Sequence, residues 1–325
     1  MLAAWYDEQG TATSVLKIGH QPGPEPGDDD VRVRIQLSGI SPGDTKKRAG
    51  WLASSMAFPR IIPHSDGAGV IDAVGSMVDP ARIGQAVWVY GAQSYRPFGT
   101  AAQFTVVPDD QAIALSPGVT AETGACLGIP GITAHRAVFA DGPVRDTYVL
   151  VHGVAGTVGS IAAQLAGWGG AAVIGTVRRK ADVAKVDIPA LTAVIALDTA
   201  DPVTAIRRVA PDGVDRIVEV ALSDNADLDA DVIANDAVIA TYASREDRTA
   251  LPFWPLLFNN ATIRLLGSDD FPREAKGHAA RDLAAAAAAG SLSVEVGDVV
   301  DLADIAAAHD RVDGRNIGRT LLALP

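Results

Sequence analysis

The stretch "YVLVHGVAGTVGSIAAQLAGWGGAAVIGTVRRK", residues 148–180, decides how this chain is read. An apolar run from Tyr148 to Val151 leads into a turn holding Gly153, Gly156 and Gly159. An apolar helix-like segment follows, then a second apolar run closed by Arg178, Arg179 and Lys180. Strand, glycine turn, helix and strand is the order of a dinucleotide-binding unit. Read from Val154, the turn is Val-x-Gly-x-x-Gly, so the usual first glycine is missing. Gly156 lets the backbone approach a pyrophosphate, and Gly159 lets the helix pack on the strand. Ala155, Gly156, Thr157 and Val158 then surround a helix N-terminus, whose free N–H groups and dipole favour phosphate. Glycines also fill ordinary turns, but here the flanking strand and helix supply the context the motif requires.

The end of the second strand bears on which dinucleotide is bound. An acid there would bond a ribose 2′-hydroxyl. No Asp or Glu occurs between Gly170 and Lys180, and Thr176 is followed closely by the three basic residues. Arginine grips a phosphate bidentately, and cations are unfavourable at a helix start. NADPH is therefore expected over NADH. The plainer alternative is a solvated basic turn.

The rest of the chain fits around this unit. At 325 residues it is long enough for two domains. The net charge of −12 disfavours a nucleic-acid partner. One cysteine, Cys126, excludes an intramolecular disulfide. No signal-like N-terminus or spanning run of apolar residues is visible, so a cytoplasmic protein with no membrane partner is expected. Residues 1–120 carry short alternating runs such as "VRVRIQLSGI", which predict a β-rich domain. Residues 121–262 alternate strand and helix patterns, which predict a parallel sheet covered on both faces. The strand-like "ATIRLLGSDD", residues 261–270, is read as a last strand of that pattern. Residues 263–325 carry an alanine-rich helix and a final strand in "RTLLAL", and return to the first domain.

The element order, with "GISPGDTKKRAGW", "PHSDGAGV", "GIPGITAHRAV", "VHGVAGTVGSIAAQLA" and "AHDRV", resembles the medium-chain dehydrogenase/reductase superfamily. Within it the chain looks most like the zinc-free, zeta-crystallin-like NADPH:quinone oxidoreductases. The resemblance covers nearly the whole chain. It implies an α/β fold, with a Rossmann doubly wound parallel sheet for NADPH beside a β-rich GroES-like catalytic domain, and a homodimer joined through "ATIRLLGSDD".

Zinc-binding relatives carry a cysteine at the place of Ser41 and a Gly-His-Glu-Gly frame where this chain has His64-Ser65-Asp66-Gly67. Ser65 thus fills the ligand histidine's place, and one cysteine cannot form a four-cysteine zinc lobe. No metal is expected. His64 is read as a loop or pocket-wall residue, with a displaced ligand as the alternative.

Without a Lewis acid the acceptor must already be electrophilic. The expected activity is hydride transfer from NADPH to a quinone or an activated, α,β-unsaturated carbonyl. Two alternatives stay open: a zinc-free reductase of another carbonyl or an enoate, and a non-catalytic NADPH-binding redox sensor. Substrate-pocket candidates are Ser41, Lys46, Trp51, His64 and Trp88. Ser41 stands where relatives have a cofactor-contacting Asn, and Lys46 where the quinone branch has Tyr. Asp44, Arg48 and Gly50 match the family pattern, and Asp44 also suits a helix cap. Lys46 is either a carbonyl-polarising group or a solvated lysine, and the two tryptophans are either pocket walls or core. On the cofactor side the resemblance adds Thr133 and Asn316. The strand ends add Val220, Tyr242 and Ser244. His135 and His152 are read as structural histidines first.

Overall fold

The computed structural model describes residues 1–314 and 318–325. The chain divides into two compact units: Met1–Pro130 with Lys276–Ala288 and Ser293–Pro325, and Gly131–Ala275 with Ala289–Leu292. The division falls somewhat later than residues 120 and 262. The reason is packing: helix Ala121–Leu127 lies on first-unit strands, and a Cβ on Gly124 would touch Trp88 and Leu115.

In the first unit a seven-stranded sheet runs in the order Val296–Asp301, Arg319–Ala323, Asp30–Gly39, Asp66–Val74, Ala86–Val89, Ala112–Ala114, with Phe104–Pro108 also paired to Asp30–Gly39. All pairings are antiparallel except that of Val296–Asp301 with Arg319–Ala323. The alternation in "VRVRIQ" takes effect as expected. Val31, Val33 and Ile35 are buried, while Arg32 reaches across to Asp72 on the neighbouring strand at 3.0 Å.

The second unit holds six parallel strands in the order Leu191–Ala196, Ala172–Val177, Tyr148–Val151, Val214–Glu219, Ile233–Thr241, Thr262–Leu265. Leu150, Ile174, Ile217 and Ile239 are fully buried, the run pattern of a sheet covered on both faces. Helix Thr157–Trp168 buries Ile161, Ala162, Leu165 and Ala166. The chain moves outward one way from Tyr148–Val151 and the other way from Val214–Glu219. The topological switch point, where open α/β sheets bind ligands, lies between these strands at their carboxyl ends. Among the described residues, no helix is long and apolar enough to cross a membrane.

Candidate dinucleotide site and substrate-side helix

In the second unit, the glycine turn sits at the carboxyl end of Tyr148–Val151. Val154 donates its N–H to Thr176 O at 3.0 Å, and Gly156 to Gly153 O at 2.9 Å. Gly156 caps the helix, and the first intrahelical bond runs from Ser160 N to Gly156 O at 2.8 Å. The N–H groups of Thr157, Val158 and Gly159 precede it and have no helical acceptor. No acidic side chain occupies the first turn. A Cβ on Gly159 would fall 2.4 Å from Gly153 O, so this position requires glycine. On Gly156 the nearest atom would be 3.3 Å away, and the residue is exposed with Ala155. A ledge of backbone donors of this kind fits a pyrophosphate.

Arg178, Arg179 and Lys180 are all exposed just past Ala172–Val177. The structure distinguishes them. Arg179 is paired with Asp182 at 2.9 Å. The Lys180 N–H donates to Asp198 at 2.8 Å, so an acid reaches this strand end from the next one. Arg178 has no ion pair among the described residues. An open groove of 530 Å³ adjoins the triplet, lined by Lys180, Val183, Val194, Ala196 and Thr199.

Other candidates divide. Thr176 corrects the sequence reading: its side chain is buried and its hydroxyl lies 2.9 Å from His152 Nδ1, so no hydroxyl faces outward. Ser244 spends its hydroxyl on Thr249 at 3.0 Å. Tyr242 is half-buried, and burial together with Glu219 holds its phenol well above the usual range. Val220 and Ala221 are half-buried at the end of Val214–Glu219. Thr133 is buried on its helix, and His135 packs against Phe139 at 4.9 Å. Asn316 lies outside the described residues.

In the first unit, Ser41 caps the helix Pro42–Ala49, and Asp44 accepts the Ser41 N–H at 2.7 Å. Gly50, at φ +73°, ends the helix. The Ser41 side chain corrects its expected role. It is buried, accepts from Arg319 Nη1 at 3.0 Å and lies 3.4 Å from Asp66 Oδ2. Asp66 takes Arg319 Nη2 at 2.6 Å on one oxygen and the Ile129 N–H at 2.7 Å on the other. Burial pushes Asp66 up to about 6 against the pull of Arg319. Asp44 is pushed up to about 7, by burial first and then by the charge of Asp66.

Packing separates the residues proposed for the pocket wall. His64 is fully buried at φ +76°, with Nδ1 2.9 Å from Ser38 Oγ and Nε2 2.9 Å from His309 Nε2. It lines no pocket. Trp88 is 1% exposed and packs against Tyr90 in the core. Trp51 is instead 49% exposed, with Lys46 Nζ 4.4 Å from its ring centre, so those two candidates form one surface cation–π pair. Sequence reasoning missed Arg319 altogether, since no local signal links it to a residue more than 250 positions away. Cys126 is buried, its thiol pushed up to about 12 by burial, and is inert.

The alcohol dehydrogenase GroES-like domain matches residues 27–117. A solved mycobacterial quinone oxidoreductase superposes with a TM-score of 0.86, at 25% identity over 99% of both chains. The chain has the medium-chain dehydrogenase/reductase fold. A mycobacterial protein solved in complex with NADPH superposes at 0.83, also at 25% identity and 99% of both chains. The mouse quinone oxidoreductase is 36% identical over 154 residues, 47% of this chain and 45% of the mouse protein. The chain spans about half the length of the curated relatives it matches.

Proposed function

We propose that the protein is a cytoplasmic, NADPH-dependent, zinc-independent reductase of quinones or activated, α,β-unsaturated carbonyls. One observation carries the reading: an open helix N-terminus, capped by Gly156 at the switch point of a parallel sheet, next to a basic strand end. Quinone oxidoreductase relatives support the acceptor class. The ledge N–H groups of Thr157 and Val158 hold the pyrophosphate, and Arg178 meets the 2′-phosphate. NADPH, once bound, supplies the hydride. The protein's part is to orient and desolvate the reactants.

The donor set supports chemistry without a metal ion. Ser41 and Ser65 stand where zinc-binding relatives have cysteine and histidine, and a hydroxyl is a poor zinc ligand. The Ser41 oxygen already receives a guanidinium hydrogen bond, and a second cation beside Arg319 would be repelled. Quinones and enones carry their own electrophilicity and need no Lewis acid. Lys46 and Trp51 stay candidates for the substrate side.

A homodimer completes the proposal. Thr262–Leu265 is the outer strand of its sheet, and Leu265 is 77% exposed. The helix before it, Phe253–Phe258, exposes Phe253, Trp254 and Phe258. An apolar edge of this kind is paired or covered in stable proteins.

The test is oxidation of NADPH and NADH with a panel of quinones and enones, beside metal analysis of the purified protein. Turnover with NADPH strongly preferred and no stoichiometric zinc is expected. Stoichiometric zinc, or equal efficiency with both cofactors, overturns the corresponding part.

A further inference from the structure

Beneath the glycine turn of the second unit lies a buried cluster that the cofactor reading leaves unused. His152 is the first residue beyond Tyr148–Val151, and Glu219 is the last of Val214–Glu219, so the two face each other across the switch point. His152 Nε2 is 2.9 Å from Asp229 Oδ1, on helix Leu222–Val232, and 3.6 Å from Glu219 Oε2. His152 Nδ1 is 2.9 Å from Thr176 Oγ1. Glu219 in turn accepts the Ala221 N–H and the Asn225 side-chain amide, the latter at 3.0 and 3.2 Å. All three side chains are buried, and Asp229 Oδ2 has no hydrogen-bond partner among the described residues.

Each link ends on backbone that the cofactor reading uses. Thr176 O receives the Val154 N–H inside the glycine turn. Glu219 holds Ala221, which follows Val220. A carboxylate only accepts, so His152 Nε2 carries the hydrogen toward Asp229. We propose that His152, acting through Asp229 and Glu219, is a positioning residue that locks the glycine turn to the Val220–Ala221 segment and so sets dinucleotide affinity. The inference rests on the proposed cofactor site. A metal is a weaker reading, because both Glu219 oxygens are already occupied by N–H donors.

The lock depends on protonation. Burial opposes charging of His152, but Asp229 and then Glu219 outweigh it and raise the imidazole above its usual range. The charged and titratable groups facing it are Asp229 from the helix and Glu219 from the strand; Thr176 is uncharged, and Tyr242 faces Glu219 from beyond the next strand. Raising the pH removes the proton and one of the two charge-assisted contacts.

The experiment compares the wild type with His152→Gln, which keeps a donor toward Asp229, and Asp229→Asn, which keeps the side-chain shape. NADPH binding is titrated by fluorescence from about pH 6 to about pH 10, with steady-state kinetics on the same samples. For the wild type, the dissociation constant should rise with pH. For the variants it should be raised roughly tenfold at neutral pH, the scale of one charged hydrogen bond, with a flattened pH profile. The KM for NADPH should rise more than kcat falls. Wild-type-like binding in both variants overturns the positioning role alone. So does an unaltered pH profile in folded variants, which marks a merely structural part. A wild type that binds no dinucleotide overturns the cofactor site and this inference together.

Discussion

Arg319 holds Asp66 through a 2.6 Å hydrogen bond, with both side chains buried. The guanidinium also donates to Ser41, so one cation organises the cap of the helix Pro42–Ala49. Two buried carboxylates, Asp66 and Asp44, share its field. Burial makes each easier to protonate than in water, and at Asp44 the charge of Asp66 adds to it.

That imbalance sets a sign for stability. Asp44 is raised from 3.8 to about 7 in the fold. Over that window the native state binds more protons than the unfolded one, so this contribution falls as pH rises. Asp44→Asn should therefore lose less stability than wild type between about pH 4 and about pH 8, by on the order of a few kcal/mol. Chemical denaturation across pH checks it. A variant whose pH slope matches wild type shows that Asp44 titrates normally.

The His64–His309 pair has the opposite sign. Burial, chiefly, pushes His309 down to about 4 and His64 well below its usual range. Both rings are neutral when folded, so their contribution is lost as pH falls from about 6.5. NMR titration should find both imidazoles uncharged at about pH 5. His309→Leu, which orphans His64 Nε2, should cost about 1–3 kcal/mol. A native ring titrating near 6.5 refutes the arrangement.

The two turn glycines should separate binding from folding. Gly159→Ala drives a methyl into Gly153 O and should cost about 2–4 kcal/mol of stability along with cofactor affinity. Gly156→Ala meets nothing closer than 3.3 Å. It should keep the melting temperature within a few degrees while weakening NADPH at least tenfold, because the methyl would stand where the proposed site takes the pyrophosphate. Equal effects of both on stability would contradict the assignment.

Among the basic residues, Arg178 should matter most. Arg179 already pairs with Asp182. Arg178→Ala should lower the NADPH-over-NADH preference by roughly tenfold or more, and Arg179→Ala by less. Asp182→Asn should release Arg179 and raise the preference. Specificity constants for both cofactors decide it; a larger effect at Arg179 reverses the ranking.

The exposed edge strand predicts an oligomer. Light scattering should give a dimer, and Leu265→Glu should give a folded monomer, since a buried unpaired carboxylate at the seam is costly. A wild-type monomer at micromolar concentration removes this part.

The sequence alone determined what short-range pattern encodes. Alternating Val31, Val33 and Ile35 specified a half-buried strand, and the spacing of Gly156 and Gly159 specified a tight strand-to-helix turn, because strand period and backbone clearance are local properties. Tertiary structure decided the partners. His64 read as a loop or pocket-wall residue and Trp88 as either pocket wall or core; packing buried both. Thr176 read as a cofactor contact until His152 turned it inward. Ser41, read as a cofactor and pocket residue, became the cap of its helix and an acceptor for Arg319. Polar side chains buried far apart in sequence must find one another to offset lost water, and that pairing is fixed only when distant strands meet.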